Sequence, residues 1–155
     1  TGVQTCALPI SRNTLKEYKT NFNLCYFRLD IDDFSNFNNQ YGHDVGDQVL
    51  IALVKTIKKS VRTTDFLFRF GGEEFIAVLP GKDQAAAIEI ANRIRTNCHS
   101  VETRGTENCI VSFTTSIGVT ELQDEDTIDS LIHRVDQSLY KAKMNGRDTV
   151  AFVNE

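Results

Sequence analysis

Two strand-like runs, Asp65 to Phe70 and Glu73 to Leu79, are separated by nothing but Gly71 and Gly72. A connection that short can only turn the chain back on itself, because a parallel return needs a crossover of a dozen or more residues. Glycine admits the positive φ that a two-residue hairpin loop requires, so the pair predicts a tight antiparallel unit. Glu73 and Glu74, two like charges, then stand at its tip at the front of an apolar run, and Pro80-Gly81 ends that run.

The rest of the pattern is built around this hairpin. A helix is expected from Ser11 to about Lys19, followed by FNLCYFRLDID at 22–32, a mostly buried strand that ends at Asp30, Asp32 and Asp33. Arg28 lies two residues before Asp30 on one strand face, which suggests a local ion pair. Asp33 can cap a short helix through Phe34 and Phe37 that stops near Gly42, and Asp44 can cap a second one. In that second helix Val45, Val49, Leu53 and Ile57 form one stripe that ends near Val61. After the hairpin, Ala87, Ile90, Ala91, Ile94 and Cys98 stripe a helix from Asp83 to His99, and SVETRGTEN follows as a loop or hairpin. CIVSFTTSIGV at 109–119 reads as one long strand. Ile128, Leu131, Val135, Leu139 and Ala142 stripe a last helix, and Thr149 to Val153 a last short strand.

A strand, a helical crossover, a hairpin, then a helix, strand, helix and strand match an α+β, ferredoxin-like or polymerase-palm-like arrangement. Its antiparallel central sheet would have about five strands flanked by helices, with the third strand antiparallel beside the first. The end of the first strand then meets the start of the third, so Asp30 comes to Glu73.

With 155 residues, 41% of them hydrophobic and 25% charged, residues 12–155 form one domain with one core. The first eleven, TGVQTCALPIS, show no helical or strand period and no signal-peptide layout. They resemble translated adapter or vector sequence and are set aside as a doubtful, non-native segment. A net charge of −4 offers no basic field for nucleic acid, so a phosphate-bearing ligand must be held locally. No apolar run approaches a membrane span, so no membrane contact is expected of this chain. Cys6, Cys25, Cys98 and Cys109 have neither CxxC nor zinc-ligand spacing, and fit small buried hydrophobes in a reducing cytoplasm.

Exposed acids at strand ends are commonly just solvated. Here Asp30, Glu73 and Glu74 gather at one sheet edge, where they would repel one another and raise their own pKa values unless a cation neutralises them. Oxygen-only ligands favour Mg²⁺ or Mn²⁺, and carboxylate-held Mg²⁺ usually completes its shell with water and substrate phosphates. Phosphoryl or nucleotidyl transfer is therefore the chemistry to expect.

Gly71-Gly72-Glu73-Glu74-Phe75 resembles the signature of the GGDEF family of diguanylate cyclases, in its GGEEF form. The resemblance runs from Arg12 to Val150 through LDIDDFSNFNNQYGHDVGD at 29–47, RTTDFLFRFGGEEF at 62–75, TTSIGV at 114–119 and VDQSLYKAKMNGRD at 135–148. It implies condensation of two GTP into cyclic di-GMP with release of two pyrophosphates, one GTP being bound by each half of a homodimer. It implies two Mg²⁺ or Mn²⁺ per active site, held by Asp30, Glu73 and the carbonyl of Ile31. Glu74 becomes a second metal ligand or a group that helps deprotonate the attacking 3′-hydroxyl.

By the same resemblance Lys143 and Arg147 are phosphate-binding cations, Gly71 and Gly72 allow close approach of a triphosphate, and the helix starting at Phe34 turns its N–H groups to phosphate. Asn38 and Asp47 stand at guanine-reading positions. Arg62 and Asp65 match an RxxD site at which bound cyclic di-GMP inhibits the enzyme. Ser35 replaces the usual lysine, Asn39 replaces a common Asp, and of the N-terminal DxLTGLxNR pattern only Arg12 has a counterpart. His43 reads as a packing residue, and His99 and His133 receive no role. Two alternatives remain: a catalytically silent module that binds GTP or cyclic di-GMP for signalling, and another Mg²⁺-dependent nucleotidyl cyclase or polymerase palm.

Overall fold

A computed structural model describes residues 4–5, 23–104 and 110–153. The helix expected from Ser11 to Lys19, Cys6 and Cys109 lie outside the described residues. In chain order the elements are β1 (Gln4–Thr5), β2 (Leu24–Ile31), α1 (Phe34–Tyr41), α2 (His43–Ser60), β3 (Phe66–Arg69) and β4 (Glu74–Pro80). They continue with α3 (Gln84–His99), β5 (Thr103–Arg104), β6 (Ile110–Val111), β7 (Thr115–Glu121), α4 (Ile128–Met144) and β8 (Val150–Phe152). The main sheet runs β1-β3-β4-β2-β7-β8, and β5 and β6 form a separate ribbon.

The α+β architecture agrees with the periodicities. β2 is central, antiparallel to β4 on one side and to β7 on the other. The sheet is mixed rather than purely antiparallel, because β8 joins β7 and β1 joins β3 in parallel. The pleat sorts β2 into two faces. Cys25, Phe27, Leu29 and Ile31 join the core formed with α1, α2 and α3. Leu24 and Tyr26 join the smaller core under α4, built with Phe68, Ile76, Val78, Leu131 and Val135. Arg28 and Asp30 follow in that same alternation, so both polar side chains point toward α4. Helix and sheet meet closely there. A Cβ on Gly118 of β7 would lie 2.3 Å from the backbone nitrogen of Leu139, so only glycine fits.

Several local features depart from the sequence reading. The hairpin is not a two-residue turn: the last β3–β4 pair is Arg69 with Phe75, and neither Gly71 nor Gly72 takes a positive φ. A longer loop turns with ordinary dihedrals. The amides of Phe70 and Gly71 both donate to the Glu74 carbonyl (2.8 and 3.3 Å), and Arg69 donates to the carbonyls of Gly71 (3.2 Å) and Gly72 (2.7 Å). The long strand over 109–119 is broken between β6 and β7, because the Thr114 carbonyl turns to accept from the Asp32 amide at 2.9 Å. α2 starts at His43 with Gly42 as its N-cap, so Asp44 sits in the first turn, where its charge complements the helix dipole instead of capping. Gln4–Thr5 adds to the edge at Phe68–Arg69 although its segment has no strand period, since two main-chain pairings on an open edge require none.

Asp33 stands at the N-cap of α1 in a left-handed conformation (φ 51°), and its side chain makes no capping bond. Two caps that the sequence reading did not name are present: Asp83 accepts from the Ala86 amide at 2.9 Å at the start of α3, and Thr127 and Ser130 form a reciprocal capping box on α4.

Candidate active site

The first and third sheet-core strands bring their carboxylates together, but the residue directly opposite Asp30 in the β2–β4 register is Glu74, one position beyond the expected Glu73. Directly opposed residues share a face, so Glu74 leans toward Arg28 and Asp30, while Glu73 stays in the turn. A cleft of about 220 Å³ opens at this sheet end. It is lined by Asp30, Ile31, Phe34, Ser35, Glu73, Lys143 and Arg147 among others, and so collects seven of the residues singled out in the sequence. A larger groove between α2 and the hairpin is mostly apolar and holds no carboxylate.

Asp30 is the most constrained of them. It is 4% exposed, its Oδ2 receives the Lys143 ammonium at 2.5 Å, and its Oδ1 is buried with no hydrogen-bond partner. Burial pushes its carboxyl above the ordinary carboxylate range, Lys143 pulls it back, and the charges of Asp32 and Glu73 push it up again. A buried acceptor with a free lone pair beside a second carboxylate suits a hard cation. The donor set is smaller than three carboxylates would supply. Among the described residues no cluster of three or more His, Cys, Asp or Glu is arranged around one metal position. Asp30 and Glu73, which both line the cleft and feel each other's charge, are still within the one or two carboxylates that a hard cation such as Mg²⁺ commonly takes, water and phosphate completing its shell.

Glu74 is engaged elsewhere. Its Oε2 lies 3.0 Å from Arg28, whose other nitrogen pairs with Asp136 of α4. The expected Arg28–Asp30 pair does not form, because the cross-strand Glu74 and the helix-borne Asp136 meet the guanidinium fork and Lys143 takes Asp30. Burial opposes the charge on Arg28, and Asp136 and Glu74 outweigh it, holding its pKa above the ordinary value. Arg28 also lies over the Phe70 ring, 5.0 Å from its centroid.

Asn38 of α1 lies against Gly46 near the start of α2, and Asp47 is the next residue of that helix. A Cβ at Gly46 would fall 1.9 Å from Asn38 Oδ1, so this glycine is what lets the amide lie against α2. Asn38 Oδ1 is buried and lacks a partner, whereas Asp47 is exposed. At the turn before β3, Asp65 accepts from the Arg62 amide at 2.7 Å, and the Arg62 guanidinium, 54% exposed, donates to the Pro80 carbonyl at 2.8 Å.

Backbone strain concentrates around the cleft. Asp33, Arg147 and Asp148 are the non-glycine residues with positive φ among those described (51°, 64° and 45°), each of a kind that persists only where its surroundings over-determine it. Asp32, grouped in the sequence with Asp30 but given no task, accepts from Thr114 Oγ1 (2.8 Å), Ser116 Oγ (2.6 Å) and the Asp148 amide (3.0 Å). It ties β2 to β7 and to the loop after α4. The signal for it was present as three hydroxyls, Thr114, Thr115 and Ser116, opening an otherwise apolar strand.

This architecture and signature have clear counterparts. Residues 9–149 match the family model for the diguanylate cyclase GGDEF domain. The chain is 41% identical over 122 residues to diguanylate cyclase DgcM of Escherichia coli K12, covering 79% of this chain and 29% of that protein. It is 38% identical over 126 residues to the response regulator PleD of Caulobacter vibrioides, covering 79% and 27%. The chain thus spans less than a third of the length of these two relatives. In three dimensions it is similar to the GGDEF domain of DgcB from Caulobacter crescentus in complex with c-di-GMP, with TM-score 0.83, 29% identity, and 88% and 81% of the two chains covered. It is also similar to the active GGEEF domain of a diguanylate cyclase from Vibrio cholerae, with TM-score 0.79, 35% identity, and 86% and 84% covered. With residues 9–149 matched by that family model and 41% identity to a diguanylate cyclase over 122 residues, the chain belongs to the GGDEF domain family of diguanylate cyclases.

Proposed function

We propose that this domain condenses two molecules of GTP into cyclic di-GMP and two pyrophosphates, acting as a homodimer in which each protomer presents one GTP. The observation that carries the reading is the half-satisfied Asp30 carboxylate beside Glu73, in a cleft that also receives Lys143 and Arg147. Asp30, Glu73 and the Ile31 carbonyl are the proposed holders of divalent metal, two ions per site with Glu74 as a further ligand. The metal, Mg²⁺ or Mn²⁺, supplies charge neutralisation at the α-phosphate and a lowered pKa for the attacking 3′-hydroxyl.

The chain's own groups do the rest. Lys143 keeps Asp30 neutralised by its ammonium, and its partly exposed stem lets it swing to the β- and γ-phosphates when another cation takes over that carboxylate. Arg147 offers a planar fork to the same phosphates. The first-turn amides of α1, from Phe34 and Ser35, add N–H donors, and Gly71 and Gly72 keep the turn open to the triphosphate. Ser35 contributes a hydroxyl where a lysine would contribute charge. The Asn38 amide and the Asp47 carboxylate suit the guanine edge, because a carboxylate accepts N1–H and N2–H₂ together and the amide both gives and takes. Arg62 and Asp65 form the proposed product-inhibition site. Among the described residues no helix is long and apolar enough to cross a membrane, and a cytoplasmic setting agrees with buried free Cys25 and Cys98.

The competing reading, a silent module that binds GTP or cyclic di-GMP, draws on Ser35 and on the capture of Glu74 by Arg28. Incubation with GTP and Mg²⁺, followed by chromatography for cyclic di-GMP and pyrophosphate, separates the two. The cyclase reading expects product from the wild type and about a hundredfold less from Glu73→Gln, with specific activity falling on dilution. Bound nucleotide without product from the wild type favours the module.

A further inference from the structure

The loop after α4 is held from the far side of the domain. Arg147 and Asp148 are consecutive and both have positive φ, a conformation that L side chains rarely adopt unless their surroundings hold it. Main-chain bonds fix part of it: the Arg147 amide donates to the Ala142 carbonyl at 3.2 Å, and the Asp148 amide to Asp32 Oδ2 at 3.0 Å. The remaining grip comes from α3. His99 Nε2 lies 2.7 Å from Asp148 Oδ1, and Arg95 Nη1 lies 3.3 Å from that oxygen and 3.4 Å from the Asp148 carbonyl. Arg147 itself is only loosely tethered, with Nε 3.7 Å from Asp33 Oδ1 and both side chains about half exposed or more. Such a surface pair holds little on its own.

We propose that Asp148, gripped by His99 and Arg95, is a positioning residue for Arg147, setting the backbone from which the guanidinium meets the phosphates of a nucleoside triphosphate. The inference rests on the triphosphate reading of the cleft given above. An arginine whose root is fixed beforehand loses less freedom when it closes on phosphate, so the grip on Asp148 is felt as affinity for the nucleotide. The Asp148 carboxylate is turned toward Arg95 and His99 of α3, which also keeps its negative charge from opposing the incoming phosphates. His99, to which the sequence reading gave no role, acquires one here.

Equilibrium dialysis with GTP and Mg²⁺ tests this without requiring turnover. Arg147→Ala and Asp148→Ala are each expected to weaken GTP by about tenfold, the scale of a charge-assisted hydrogen bond to phosphate. The double variant should bind no worse than Arg147→Ala alone, because Asp148 acts through Arg147. Asp148→Asn keeps an acceptor for His99 and tolerates the left-handed backbone, so it should stay within about twofold of the wild type. Should Asp148→Ala fail to fold by its thermal melt, His99→Ala, which leaves the loop sequence intact, carries the same expectation at about threefold. Wild-type affinity in Asp148→Ala or His99→Ala, or additive losses in the double variant while Arg147→Ala alone weakens GTP, overturns the positioning role and leaves the triphosphate reading standing. A wild type that does not bind GTP overturns both. The expected binding pattern without cyclic di-GMP formation upholds the positioning role and sinks the cyclase reading.

Discussion

Helix α4 presents a cation to a buried aspartate at each end of the sheet, and the two pairs are built to opposite specifications. Asp126 is 6% exposed and fully used: its oxygens take both terminal nitrogens of Arg134 (2.7 and 2.6 Å), the Ser130 hydroxyl and the Gln123 amide. Arg134 gives two further donors to Thr120 Oγ1 and the Glu121 carbonyl. Asp30 is as deeply buried but has one lysine contact and an oxygen with no partner. Burial tends to raise both carboxyls. At Asp126 the donors outweigh it and the pKa falls below the ordinary value, whereas at Asp30 burial prevails and it rises. A closed network stabilises the fold, while an open one keeps coordination capacity in reserve for something that binds.

Removing the cation from each pair gives the largest contrast. Arg134→Ala leaves Asp126 buried with its main partner gone, and should cost about 3–5 kcal/mol in chemical denaturation. Lys143→Ala should cost under about 1 kcal/mol, because Lys143 is partly exposed and its removal opens Asp30 Oδ2 to the cleft and to water. Equal losses at the two ends would dissolve the distinction between a structural pair and a reserve site.

Neutralising the acids sharpens it at smaller amplitude. Asp126→Asn should lose about 1–3 kcal/mol, since Arg134 stays buried with a weaker acceptor. Asp30→Asn should leave the ligand-free domain within about 1 kcal/mol of the wild type, because it removes a charge that burial disfavours. The same substitution should abolish the rise in thermal midpoint that Mg²⁺ with GTP gives the wild type through linkage. A full ligand-induced shift in Asp30→Asn would remove Asp30 from the metal site.

The contrast also marks how far the sequence could be read. Stripes such as Val45, Val49, Leu53 and Ile57, and the alternation along β2, report burial, and burial sets the elements and their faces. Strand order then follows from connection lengths, which is why the approach of Asp30 to the start of β4 was within reach, although the register sets Glu74 rather than Glu73 directly opposite it. Side-chain partnerships are decided by three-dimensional competition that spacing does not encode. Arg28 could equally have met Asp30, its near neighbour, and instead meets Glu74 across the strand and Asp136 from α4. The hairpin misled for a related reason: Gly71-Gly72 is compatible with a two-residue turn, but the Arg69 side chain and the Glu74 carbonyl support a wider one. Asp32 and Asp148 were missed because their partners lie on β7 and α3, remote in sequence from the acidic trio and from the end of α4.

The smallest effect lies in the acid limb of stability. Asp126 has a folded-state pKa below its unfolded one, so the folded protein binds its proton more weakly, and stability falls as pH drops through that window. Its contribution is present in full above the unfolded carboxylate value of about 4 and is lost progressively below it. The difference in stability between the wild type and Asp126→Asn should therefore be greatest near neutrality and shrink as the pH is lowered past that point, since asparagine has no proton to take up. Denaturation curves recorded in steps from pH 7 toward pH 2 measure it directly. A gap that stays constant with pH would mean that the Asp126 carboxylate is no better accommodated folded than unfolded, and that the bonds from Arg134, Ser130 and Gln123 do no more than offset its burial.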